Sequence, residues 1–318
     1  MAWHAPLGPV YEDDWGDGPR STPIVEGGFI YALAARGNLC CLRIEDGSLV
    51  WQKSMQDFGG KTPSWGYSES PLIHDEKILC TPGGKEGAVV ALDKATGDLL
   101  WQTSQLTDTA HYSSIVASQQ GGRAIGVQLL VSQLVGFDLS DGKVFWSVPW
   151  AGRVAVVPTP IAWENHIYVS SGYGTGCMLV ELNDDFSVEQ VYENKLITNQ
   201  HGGVLRLGKS VFGHSDRKGW TCQDLATGEK IWQNKKVLGK GAIAYADERF
   251  YCLSEDDGEV VLIEASEEDW IEHGRFTLAP QTELRKPKGK IWIHPVIAGG
   301  RLYLRDQELL FCFDVRAK

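Results

Sequence analysis

Ala91-Leu92-Asp93-Lys94-Ala95-Thr96-Gly97-Asp98-Leu99-Leu100-Trp101 decides the fold, because its pattern returns along the chain. An apolar pair, Asp, three residues, Gly, three residues and Trp come back as Gly136-Phe137-Asp138, Gly142 and Trp146. They return at Asp224, Gly228 and Trp232, and at Gly47 and Trp51 with Arg43 in the Asp place. The Trp spacings are 50, 45 and 86 residues, the last being two periods with one degraded copy between. A period of roughly 45 residues, built from short strands and Gly turns, marks a repeat architecture.

One copy shows the physics. Within residues 21–55, Pro23-Ile24-Val25, Phe29-Ile30-Tyr31-Ala32-Leu33, Leu39-Cys40-Cys41-Leu42 and Leu49-Val50-Trp51 are four short β-rich runs. Turn residues separate them at hairpin spacing. Asp at the first motif position can accept bonds from the amides of its own turn, and the Trp on the outer strand can pack against the next sheet. A four-stranded sheet this small needs a neighbour on each side, which a propeller supplies.

The opening hairpin recurs seven times, at Thr22-Pro23, Ser70-Pro71, Ser114-Ile115, Thr159-Pro160, Gly203-Val204, Ala242-Ile243 and His294-Pro295. The fourth and sixth copies lose the Trp motif, showing Asp184-Asp185-Phe186 and Glu267-Glu268-Asp269-Trp270. The last copy stops after Phe311-Cys312-Phe313-Asp314-Val315, and Trp3 stands 48 residues before Trp51, where a motif Trp belongs. The expectation is an all-β, closed seven-bladed β-propeller forming a single domain over residues 1–318. Its blades span about 21–55, 70–105, 112–150, 158–194, 202–237, 241–278 and 293–318. Residues 2–6 complete the last blade, with Ala2-Trp3-His4 as its fourth strand, and closure removes the exposed edges.

On these Asp-Gly-Trp copies and Ser/Thr-Pro openings the chain resembles the pyrroloquinoline-quinone-type (PQQ-like) β-propeller repeat family over its whole length. Gly18-Pro19-Arg20-Ser21-Thr22-Pro23 and Trp65-Gly66-Tyr67-Ser68-Glu69-Ser70-Pro71 are similar to its bacterial members of unassigned function. The resemblance implies the fold and leaves the activity open, since propellers host unrelated functions. Relatives of this kind often carry eight blades and an export signal. Quinoprotein dehydrogenases of the superfamily stack their cofactor on a disulfide between adjacent cysteines, which draws attention to Cys40-Cys41. That pair falls mid-strand, where successive side chains point to opposite faces. No cofactor is therefore expected, with PQQ and calcium as the two to test. Calcium is suggested by the oxygen-rich loop Glu12-Asp13-Asp14-Trp15-Gly16-Asp17-Gly18, which lacks the EF-hand pattern.

Composition bounds the rest. With 43% hydrophobic and 22% charged residues this is an ordinary globular chain. A net charge of −11 argues against a nucleic-acid surface. One basic run, Arg285-Lys286-Pro287-Lys288-Gly289-Lys290, reads as a solvated loop or an anion-binding rim. No apolar run is long enough to span a membrane. The N-terminus shows neither basic head nor apolar stretch, so the chain as it stands reads as cytoplasmic, and as periplasmic if its start is truncated. The seven cysteines include no Cys-x-x-Cys, and the eight histidines show no metal-ligand spacing.

The loops leading into the innermost strands converge on one channel mouth in a propeller. They supply Arg20, Trp65, Tyr67, His111, Arg153, His201, Lys240, Lys290 and Trp292 as candidate ligand-binding residues. His111, His201, Tyr67 and Glu69 are the candidate acid–base groups. Cations, histidines and aromatics on one rim suit an anionic or sugar-like ligand, or a protein partner, on a monomer. Three function classes follow in order. The first is a non-catalytic ligand-binding or protein-interaction scaffold; after it come a carbohydrate-active enzyme and a PQQ-dependent oxidoreductase.

Overall fold

A computed structural model describes residues 3–316. The architecture is an all-β, seven-bladed propeller of antiparallel sheets, each a meander of consecutive strands. The sheets run over residues 24–54, 72–102, 116–149, 161–194, 204–234, 241–277 and 296–314, numbered here as blades 1 to 7. Blades 1 to 6 have four strands each, and blade 7 has three among the described residues. No helix of the described residues is long and apolar enough to cross a membrane.

The expected fourth strand of blade 7 is not seen in this form. Ala2 lies outside the described residues, and Trp3, His4, Ala5 and Pro6 belong to no strand. Pro6 has no N–H to give a ladder, which works against pairing there. Trp3 nevertheless makes the contact expected of a motif Trp. Its indole Nε1 donates to the Ile44 carbonyl at 3.0 Å, and its ring lies over Gly47.

The described residues form two compact units. Among them the first comprises residues 3–13, 17–169 and 180–190, and the second residues 14–16, 170–179 and 191–316.

Within the first unit the repeat motif works as a dock. Trp51 donates its Nε1 to the Lys94 carbonyl at 3.0 Å and lays its ring over Gly97, while Trp101 lies over Gly142. Gly97 and Gly142 have φ of 75° and 77°, and a Cβ on either would fall inside the ring that covers it. Glycine is needed here for both conformation and space. Asp93 Oδ1 accepts from the Ala95 and Thr96 amides at 2.9 Å each, which shapes the turn. Just before the turn, the third and outer strands slip register by one residue, the same bulge in blades 1, 2, 3, 5 and 6. Trp51, Trp101, Trp146 and Trp232 occupy the equivalent position next to it. Trp51, Trp146 and Trp232 are buried and Trp101 is half-buried. The apolar core therefore lies between blades, as in the cluster of Tyr31, Leu33, Trp51, Ile78 and Leu92.

The degraded copies are replaced by other chemistry. Blade 4 has no Asp-Gly turn for Trp146, so Gln120 bridges instead. Its Oε1 accepts from Trp146 at 2.7 Å and its Nε2 donates to the Asn183 and Ser187 carbonyls at 2.9 Å. In the second unit the ring of Tyr192 covers Gly228 in the Trp role. Gly274 holds the equivalent place in blade 6, opposite Leu262 beside the bulge, with nothing within 4 Å of where a Cβ would stand.

The Ser/Thr openings form a relay along the inner strands of the first unit. The Thr22 amide donates to Ser70 Oγ at 3.0 Å, that of Ser70 to Ser114 Oγ at 2.9 Å, and that of Ser114 to Thr159 Oγ1 at 3.4 Å. Each hydroxyl satisfies the amide one repeat earlier, which accounts for that residue type at that spacing.

Candidate functional site

Strand parity sets which loops share an end of a blade. The first strand runs away from its lead-in loop and the second returns antiparallel to it. The turn after the second strand thus emerges beside the lead-in loop, and the Asp-Gly turn after the third emerges at the other end.

In the second unit this parity assembles a charged cluster around Glu255, which follows the second strand of blade 6. Glu255 is 5% exposed. Its Oε2 lies 2.5 Å from His201 Nε2 and accepts from Trp292 Nε1 at 3.0 Å, while Oε1 meets Lys240 Nζ at 3.0 Å. Burial pushes the Glu255 carboxyl up, but hydrogen bonds and charge from His201 and Lys240 outweigh it and hold it below its ordinary value. Lys240 also donates to Gln200 Oε1 at 2.6 Å. Asp216, after the second strand of blade 5, is raised by burial and faces Lys240, Gln200 and the Tyr173 amide. Desolvation by its surroundings lowers the His294 pKa, and a bond to the His201 backbone opposes that shift. His214 is pushed down to about 4 by burial, with the Lys240 charge adding to it. His214 Nδ1 and Asn199 Oδ1 are buried without a hydrogen-bond partner.

The second unit thus brings His201, Lys240 and Trp292 together, as the lead-in loops suggest. Lys290 is instead paired with Asp256 at 2.6 Å. The basic run is largely neutralised, with Arg285 on Asp306 at 2.6 Å and Lys288 on Asp14 at 2.8 Å. In the second unit Lys240, Arg285, Lys288 and Lys290 each meet a carboxylate. Glu255, Asp216 and Tyr173 were missed because only lead-in loops were searched; hairpin parity was the available signal.

The first unit places its candidates differently. Tyr67 is 0% exposed, and its hydroxyl donates to the Pro82 carbonyl at 3.0 Å. Glu69 is 2% exposed, its Oε1 accepts the Thr81 amide, and its Oε2 has no partner. Burial pushes Glu69 up to about 7. Neither group faces solvent, so neither meets a rim ligand. His111 Nδ1 accepts the Val156 amide at 3.3 Å, and burial lowers its pKa. Its ring packs against Tyr112, which also meets Trp65 at 5.9 Å. Arg20 stacks over Tyr11 and donates to the Gly18 carbonyl, and Arg153 is exposed.

The cofactor expectations can be tested on the donor set. Cys40 and Cys41 are free and buried, opposite Ala32 and Tyr31 in the strand ladder, so they point to opposite faces. Burial raises the Cys40 thiol to about 11. This pair does not fit a vicinal disulfide beneath a quinone. In the acidic loop, Asp17 Oδ1 accepts the Asp13 amide at 2.9 Å and Asp14 pairs with Lys288. Among the described residues, no group of three or more His, Cys, Asp or Glu side chains is arranged as metal ligands.

Comparison with known proteins gives a family. The profile described as outer membrane protein assembly factor BamB matches residues 2–234. The protein of that name from Moranella endobia (strain PCIT) is 25% identical over 145 residues, which are 44% of this chain and 32% of that one. The match therefore spans about a third of that curated relative's length. The crystal structure of BamB from Moraxella catarrhalis superposes with a TM-score of 0.70 at 16% identity, covering 98% of this chain and 84% of that one. The quinohemoprotein alcohol dehydrogenase of Comamonas testosteroni gives 0.59 at 11%, covering 89% and 62%. At these identities the two structures support the propeller fold alone. The family description lends no support to a cytoplasmic location.

Proposed function

The chain belongs to the family described as outer membrane protein assembly factor BamB, and we propose that it is a non-catalytic protein-interaction scaffold in outer-membrane protein assembly. The observation that carries this reading is the match over residues 2–234. The structure is consistent with it: the motif residues are consumed by blade docking, and two of the four acid–base candidates are buried. The location follows the role, at the outer membrane. Recognition falls to the ends of the blades where lead-in loops and second-strand turns emerge. In the second unit that end carries the hydrogen-bonded cluster of His201, Lys240, Glu255 and Trp292.

The test is purification of the tagged full chain from the cell that makes it, under mild detergent. Co-purification with outer-membrane protein assembly machinery is expected. Recovery of the chain alone in the cytosolic fraction would contradict the role.

A further inference from the structure

The Glu255 cluster has a composition that selects among ligand classes. Its polar groups are partnered within the protein: the Glu255 carboxylate is met by Lys240 and His201, and Lys240 also reaches Gln200. Such a floor offers donors and acceptors already oriented by one another. Around it stand three large aromatic residues of the same unit. Trp292 is 37% exposed and hydrogen-bonded to Glu255, and Trp15, 39% exposed, lies 5.7 Å from it between ring centroids. Tyr173, also 39% exposed, sits in electrostatic reach of Asp216 and Glu255. Its φ is 56°, a left-handed conformation uncommon for an aromatic residue. Backbone held this way tends to cluster at ligand clamps. His214, in electrostatic reach of Lys240 and Glu255, and Asn199, which bonds the His214 carbonyl, each keep a buried side-chain atom without a hydrogen-bond partner.

We infer that this cluster binds a neutral glycan, with Trp15, Trp292 and Tyr173 meeting the apolar faces of the sugar rings and Gln200, Asp216, His201 and Lys240 meeting their hydroxyls. A sugar ring has an apolar C–H face and a rim of hydroxyls that both donate and accept. That matches half-exposed aromatic rings beside a hydrogen-bonded polar floor, where a few polar groups fix orientation. An acidic peptide or acidic sugar would meet the Glu255 and Asp216 carboxylates. A cationic ligand would meet Lys240 and Lys288. The inference deepens the scaffold reading by naming the ligand of its recognition end, and rests on that end being a recognition surface.

The experiment uses the full chain with cellobiose, chitobiose and maltose as neutral probes and digalacturonate as the acidic control. Binding is followed by saturation-transfer NMR and titration. A neutral disaccharide is expected to bind with a dissociation constant on the order of 1 mM or tighter. Trp15→Ala and Tyr173→Asn should each weaken it about tenfold or more. Asn at position 173 tolerates the left-handed backbone. Thermal melts confirm that each variant folds. Absence of binding to every neutral probe, a preference for digalacturonate, or unchanged affinity in both variants would overturn the inference. A chain that binds no glycan yet co-purifies with the assembly machinery sinks this inference alone. A glycan-binding chain recovered alone from the cytosol sinks the scaffold role.

Discussion

Glu69 and Glu255 are two carboxylates brought to opposite states by their surroundings. Glu255 is surrounded by three donors and held ionised, whereas Glu69 is closed off with one oxygen unpartnered and is pushed up to about 7 by burial. Its folded-state value lies above the 4.5 of the free side chain. Its contribution to stability is therefore whole below about pH 4.5 and lost as pH rises through about 7. Above that, burying the charge costs about 3 kcal/mol. Glu69→Gln keeps an acceptor for the Thr81 amide and should remove this loss. Urea denaturation at about pH 5 and pH 8 checks it: between them the wild type should lose about 2–3 kcal/mol more than the variant. Equal pH dependence in the two proteins would show that Glu69 does not titrate in that range. The residue types of the candidate site were legible in the sequence, but their burial was not. Tyr67 looks like a loop aromatic until its ring is seen against Gly37 and its hydroxyl on Pro82. Those neighbours come from other turns, and no local pattern reports them.

Among the blades, the dock of an aromatic ring on a glycine turn is the unit that repeats. Trp51→Ala should cost about 3–5 kcal/mol, as for other large-to-small changes between packed surfaces. Gly97→Ala should also destabilise, from its φ of 75° and from the Trp51 ring that lies where the methyl would go. If ring and glycine form one dock, the two losses are not additive. The double variant should be more stable than the sum predicts by about 0.5–3 kcal/mol, in a denaturation cycle. Strict additivity would place Trp51 elsewhere. Gly274 is the contrast, because nothing lies near its Cβ position and its φ is not left-handed. Gly274→Ala should leave stability unchanged or raise it by about 0.5–1 kcal/mol. The docks of Trp51 on Gly97 and Trp101 on Gly142, and the Asp turns, were legible because each rests on residues at fixed spacing. Tyr192 and Gln120 were not, since a phenol and a bridging amide serve the same contact without the motif.

For the whole molecule, seven repeats and a propeller could be read from periodicity, because every copy repeats the same hairpin chemistry. The fourth strand of blade 7 is where that reading and the structure part: Trp3 reaches the motif position, but the residues after it run through Pro6 outside any strand. The proposed recognition end was read in part. The lead-in loops gave His201, Lys240 and Trp292, and the return turns that add Glu255 and Asp216 follow from antiparallel geometry that spacing alone does not express. The central claim is that this scaffold recognises its partner at the end of the blades bearing those loops. A photo-crosslinking residue placed at Tyr173, on that end, and another at exposed Ala226, in the Asp-Gly turn at the opposite end of blade 5, tests it directly. The account predicts an adduct between the Tyr173 position and an outer-membrane assembly protein in cells, with none from Ala226. Equal labelling from both positions, or labelling from Ala226 alone, would contradict it.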